Sequence, residues 1–257
     1  MSTPGAMLWA NFGGGALRVL VTNGGTRLSR TIAGALAGEH DVRLTSRSAI
    51  SGAPDGVEVV SSDLGHDEAT NDLVRGMDAI VHSGEPDSSA SVSDQLDDAM
   101  RCTYNLLTAA ADEGVPRLVY LSSLSVMRGH AEDHTVSERW RPRPGTDVSA
   151  LCYHFGEYVC REFGRAAQVD VICLRLGDLV EDGGASDSTS ALYESDAVQA
   201  VEKALALGDV ETEPVYQDPV IRPTWSVFHI QSAVHNARYT TSSAAEFLGY
   251  TPSEHPL

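Results

Sequence analysis

Between Leu17 and Leu174, six apolar runs of strand length alternate with stretches of helical periodicity, and that alternation leaves few folds open. The runs are Leu17–Thr22, Asp41–Thr45, Val57–Val60, Ala79–His82, Leu118–Leu121 and Val169–Leu174. Helices are expected over 28–36, 68–76, 94–114 and 149–167, with a further amphipathic one over 195–207. In the first, Leu28, Ile32 and Leu36 fall on one face. Strands separated by such helices run parallel, because a right-handed crossover returns the chain to the same end of the sheet. The fold class is therefore α/β, a Rossmann-like doubly wound parallel sheet with helices on both faces. Past Gly177 the pattern loosens into a Gly/Ser/Asp loop at 182–190, an acidic, Pro-rich stretch at 211–223, a short strand at 226–230 and a helical turn at 243–248. One domain over 1–257 is expected, with its core at 16–176 and a small lobe at 177–257 over the sheet edge.

Charge narrows the partners. The chain holds 18 basic against 36 acidic residues, a net −18, and that field repels phosphate backbones and anionic lipids. No nucleic-acid or membrane role is expected. No run approaches the ~18 apolar residues of a membrane span, and Met1–Gly15 lacks the basic and apolar regions of a signal peptide, so a cytoplasmic protein is expected. Cys102, Cys152, Cys160 and Cys173 lack ligand-like spacing and read as buried reduced thiols. His130, Glu132, Asp133 and His134 cluster in one loop but read as solvated, so no metal is expected.

A sheet of this kind places ligands at the carboxyl ends of its strands, where glycines let backbone amides approach a pyrophosphate. The turn after the first strand reads Thr22-Asn23-Gly24-Gly25-Thr26-Arg27-Leu28-Ser29. It resembles the Thr-Gly-x-x-Gly-x-x-Gly turn of the extended short-chain dehydrogenase/reductase superfamily, of the NAD-dependent epimerase/dehydratase type. Asn23, Thr26 and Ser29 stand at its glycine positions. Asn tolerates positive φ. Thr26 is expected to point a β-branched side chain toward the pyrophosphate, and Ser29 to loosen helix packing.

The resemblance is closest to the uronate-dehydrogenase-like branch. It is carried by Val-Arg-Leu-Thr (42–45), Thr-Tyr-Asn-Leu-Leu (103–107), Leu-Val-Tyr-Leu-Ser-Ser (118–123), Phe-Gly-Glu (155–157), Cys-Leu-Arg-Leu-Gly (173–177) and Leu-Gly-Tyr-Thr-Pro (248–252). It implies a cofactor site at Asn23, Gly24, Gly25, Arg27, Leu28, Ser46, Arg47, Asp63 and Leu64. Asp63-Leu64 would meet adenine, and Arg47, with no acid at the end of the second strand, points to NADP rather than NAD. It also implies a catalytic Asn, Ser, Tyr and Lys. Ser123 matches the Ser, but Ala99, Ser149 and Tyr153 stand at the other three positions.

The chain's one lysine, Lys203, has Gln199 where a paired Tyr would stand. Without an ammonium beside it a phenol keeps its ordinary pKa near ~10, and a Ser hydroxyl is weaker still as an acid. Shifting the register one turn pairs Tyr153 with Glu157, and a carboxylate moves a phenol pKa the wrong way. The expectation is a degenerate, non-redox protein that keeps the fold, binds a small-molecule ligand or an active paralogue, and dimerises through the helices at 94–114 and 149–167 as relatives do. Its cofactor affinity would be weak or absent. The alternative is an atypical NADP-dependent or cofactor-free enzyme, an oxidoreductase or epimerase type, acting on a sugar or sugar acid. There Ser123, Tyr153 and His154 would handle the substrate, with Arg139, Arg141, Arg143 and Arg175 available for an acidic group.

Overall fold

A computed structural model describes residues 15–184, 186–208 and 224–253. Most of the Gly-rich lead-in and the acidic run at 211–218 lie outside them. In chain order the elements are β1 (Arg18–Val21), α1 (Arg27–Leu36), β2 (Asp41–Ser46), β3 (Glu58–Ser61), α2 (Glu68–Val74), β4 (Ala79–Ser83), α3 (Val92–Asp112), β5 (Arg117–Ser123), α4 (Val148–Arg165), β6 (Asp170–Leu176), β7 (Asp178–Val180), β8 (Ala191–Tyr193), α5 (Glu194–Ala206) and β9 (Trp225–Ile230). Seven strands form one parallel sheet in the order β3-β2-β1-β4-β5-β6-β9, and β7 pairs with β8 beside it.

Alternation along the strands builds two cores. Val19 and Val21 of β1 pack with Leu28, Ile32 and Leu36 of α1 and Val201 of α5, while Leu20 faces Leu106 and Leu107 of α3 and Val159 of α4. All three β1 residues are fully buried, as expected for a strand covered on both faces. β9 comes from the segment expected in the lobe, yet it is the seventh strand of the main sheet: Trp225 to Ile230 pair with Val171 to Leu176. A short strand is expected there over 226–230, but a run this short does not say which sheet it joins.

Local caps set the helix starts. Ser91 accepts the Asp94 amide, so α3 begins two residues earlier than its apolar stripe suggested. Asp147 accepts the Ala150 amide at 2.8 Å to open α4, and Asp67 caps α2. Gln199 clasps Thr251 through both side-chain atoms, and Lys203 is exposed on α5.

One ring ties two elements together at the upper end of the sheet. Tyr120 of β5 is fully buried, and its hydroxyl lies only 2.1 Å and 1.9 Å from where a Cβ would stand on Gly84 and Gly156. Only glycines let the loop after β4 and helix α4 close on it.

Candidate functional site

Strand order reverses between β1 and β4, and a cleft of about 420 Å³ opens there over the carboxyl ends of β1 to β4. Asn23, Gly25 and Thr26 line it from the first turn, Ser46 and Arg47 from the end of β2 and just beyond it, and Asp63 and Leu64 from the loop after β3. Asn23 takes φ +58°, the conformation for which Asn stands in for glycine, and its Nδ2 donates to the Glu85 carbonyl at 2.8 Å.

Several residues depart from expectation. Thr26 lines the cleft, but its hydroxyl caps α1: it accepts the Ser29 amide and donates to Ser29 Oγ at 3.0 Å. Ser29 is fully buried in that pair, so the two substitutions compensate one another. Gly24 does not line the cleft. A Cβ there would fall 2.5 Å from Ile50 and 2.8 Å from Leu44, so packing on β2 requires it. Arg27 turns away to ion-pair with Glu194 and Glu181. Arg47 lines the cleft, yet both its terminal nitrogens bind Asp98 of α3, at 2.7 and 2.9 Å. Its charge is already matched.

Room and donors suit a dinucleotide. A Cβ on Gly25 would meet nothing nearer than Ser46 Oγ at 3.6 Å, and Gly25 and Thr26 bring the N-terminal end of α1, the end that favours anions, to the cleft wall, with the Ser29 amide already bonded to the Thr26 hydroxyl. Cys102 and Thr103 of α3 line the cleft near Asp63 and Leu64. Burial pushes the Cys102 thiol up to about 11, so it stays neutral. His82, bonded by Thr22 and Thr103 hydroxyls, is held neutral by burial, its pKa lowered to about 4.

A smaller hollow of about 40 Å³ lies beside the cleft. Leu28, Ser83, Glu85, Ser122, Ser123, Tyr153 and Gly177 are among its walls. Ser83 and Glu85 border both cavities. Ser123 Oγ accepts the Ser125 amide at 3.1 Å, which leaves its proton to donate. Burial first, and the Glu85 charge second, raise the Tyr153 phenol, so Tyr153 is a fixed hydrogen-bond donor with a pKa above its ordinary value. No Lys or Arg lines the hollow among the described residues.

Ser149 lies one turn before Tyr153, exposed at the start of α4, and lines neither cavity. The structure therefore removes it from the catalytic set. Glu157 is committed elsewhere. It takes two 2.8 Å bonds from Arg175 and one of 2.6 Å from Ser122, with both charged groups about 5% exposed. Arg175 is thus structural, and His154, half-buried with its pKa lowered by burial, lies outside both cavities. Arg139, Arg141 and Arg143 also line neither. His130 packs on Trp140, and no group of three His, Cys, Asp or Glu converges among the described residues. Each of the four cysteines is a free buried thiol. Among the described residues no helix is long and apolar enough to cross a membrane.

Comparison with known proteins agrees with this geometry. The model of the NAD dependent epimerase/dehydratase family matches residues 24–211. Uronate dehydrogenase of Pseudomonas putida is 25% identical over 211 residues, covering 81% of this chain and 78% of that protein. Its counterpart in Agrobacterium fabrum is 26% identical over 239 residues, covering 92% and 84%. The crystal structure of uronate dehydrogenase from Agrobacterium tumefaciens superposes with a TM-score of 0.76 at 25% identity, over 93% of this chain and 85% of that one. A variant of the same enzyme has been solved in complex with NAD.

Proposed function

The chain belongs to the NAD dependent epimerase/dehydratase family, and from that premise we propose that it is a nicotinamide-dinucleotide-dependent oxidoreductase acting on a sugar or sugar acid. The observation that carries this reading is the adjacency of the two cavities: a cleft of about 420 Å³ at the switch point shares Ser83 and Glu85 as wall residues with a hollow lined by Ser123 and Tyr153. A bound dinucleotide supplies a hydride acceptor. Ser123 and Tyr153 both present protons toward the hollow and hold the reacting oxygen between them. The Arg47–Asp98 pair weakens the attraction of Arg47 for a 2′-phosphate, which favours NAD over the NADP expected from the arginine alone. If the chain dimerises through α3 and α4, the exposed Met100, Tyr104 and Tyr158 are the side chains to meet the second copy.

One observation favours a second, non-redox reading. Among the described residues no Lys or Arg lines the hollow beside Tyr153, so the usual means of lowering a phenol pKa is missing there. Calorimetric titration with NAD and NADP, followed by absorbance assays on hexuronates and aldoses, separates the two. Binding tighter than about 1 mM with NADH formation supports the oxidoreductase. Binding with no turnover on any of these substrates supports a nucleotide-binding protein without redox chemistry, and absence of binding refutes the dinucleotide-dependent oxidoreductase while agreeing with the non-redox reading.

A further inference from the structure

Glu85 occupies the junction of cleft and hollow, and the chain holds it there from three directions. The Gly84 amide donates to Leu121 O at 3.0 Å, the Glu85 amide donates to Ser83 Oγ at 3.3 Å, and Asn23 Nδ2 binds the Glu85 carbonyl at 2.8 Å. Tyr120, wedged against Gly84, fixes the same loop relative to α4 and hence to Tyr153. The carboxyl itself has no hydrogen-bond or ion-pair partner among the described residues. Burial raises its pKa above the ordinary 4.5.

Desolvating a carboxyl with no cation beside it costs free energy, and such groups concentrate where a proton must be exchanged. The surrounding polar set fits one particular guest. A hydroxyl group offers one proton and two lone pairs. Ser123 and Tyr153 are donors, and Glu85 is the acceptor that completes the set. The other titratable or charged groups on the cleft side are His82 on β4, Asp63 after β3, Arg47 after β2, Asp87 in the same loop, and Asp98 and Cys102 on α3. None of these lines the hollow, where the titratable groups are Glu85 and Tyr153.

We propose that Glu85 is the acid–base residue of this site, its carboxylate taking the proton from a substrate hydroxyl held by Ser123 and Tyr153. The assignment rests on the oxidoreductase reading. The substrate O–H bond breaks and a new O–H bond forms on Glu85. The electron pair left on oxygen becomes the second bond to carbon as hydride departs to an oxidised nicotinamide dinucleotide. Glu85 thereby takes over, from a different strand end, the work a Tyr–Lys pair does elsewhere.

The test uses Glu85→Gln, which keeps the shape and removes the titration, with Glu85→Asp as the conservative variant. The infrared carboxyl band of the ligand-free protein, as a wild-type minus Glu85→Gln difference, is expected to titrate above 4.5; a titration at or below that value overturns the proposal. With NAD and a hexuronate, kcat/KM of the wild type rises with pH and levels off above the same midpoint. Glu85→Gln is expected to lose about 10²–10⁴-fold in kcat while binding NAD within about threefold of wild type, and Glu85→Asp to keep the acid limb. An active wild type matched by an equally active Glu85→Gln variant with an unchanged pH profile overturns the role of Glu85 alone. A wild type that binds NAD yet turns over no sugar or sugar acid overturns the oxidoreductase reading, and the assignment with it.

Discussion

Glu157→Gln is the substitution whose consequence follows most directly from geometry. Glu157 and Arg175 are each about 5% exposed, joined by two 2.8 Å bonds, and Ser122 adds a third at 2.6 Å. Burial alone would raise the Glu157 pKa, but the Arg175 charge and its hydrogen bonds outweigh it and hold the carboxyl below 4.5. Replacing the carboxylate by an amide leaves a buried guanidinium without a counter-charge, and breaking one side of a buried pair costs about 3–5 kcal/mol. At about 2–4 °C per kcal/mol for a domain of this size, the melting temperature falls by roughly 6–20 °C. Removing both charges, in Glu157→Leu with Arg175→Met, is expected to recover most of that loss, because the pair is opposed by its own desolvation. Since the folded pKa lies below the unfolded one, the stabilisation is complete above about 4.5 and is lost as pH falls through the lower folded value. Urea melts of the three proteins at pH 7 and pH 4 measure this. A loss under about 1 kcal/mol for Glu157→Gln at pH 7 would refute the reasoning.

Asp98→Asn is expected to free Arg47 and tighten NADP binding by up to about fivefold, near 1 kcal/mol for a guanidinium about half exposed, with NAD unaffected; paired calorimetric titrations decide it. His82 is neutral in the fold, its pKa lowered to about 4 from 6.5. Stability is therefore untouched by His82 above 6.5 and drains away below it. Between pH 7 and 5 this amounts to about 2 kcal/mol, and urea melts of His82→Gln should show a pH dependence smaller by that amount. Gly156→Ala drives a methyl into the Tyr120 hydroxyl and is expected to lose about 1–3 kcal/mol in the same assay. An unchanged midpoint would show that the ring can move aside.

The sheet was legible because each buried strand is a continuous apolar run and each covering helix repeats its apolar stripe. β9 was half legible, since its neighbour β6 is contributed from more than 50 residues earlier. Motif register singles out Asn23, which lines the cleft, and Ser123 and Tyr153, which line the hollow, because register reports position along an element. What register cannot report is which distant side chain has claimed a group. Arg47 looked free because Asp98 is 51 residues away, and Arg175 looked available because Glu157 is on another element. Thr26 lines the cleft as its register implies, and the spacing to Ser29, that of an N-cap, binds its hydroxyl to its own helix as well. Glu85 went unnoticed because Gly-Glu-Pro after a strand reads as an ordinary turn. Its only signal was its place, at the carboxyl end of the strand beside the switch point.

The contact of Tyr120 with Gly84 and Gly156 has a consequence for descent. Three positions far apart in the chain share one volume, so they cannot drift separately. A lineage that acquires a side chain at 84 or 156 must already have shrunk 120, or must do so next. Among related sequences the three should change as a set, and the intermediates between sets should be rare.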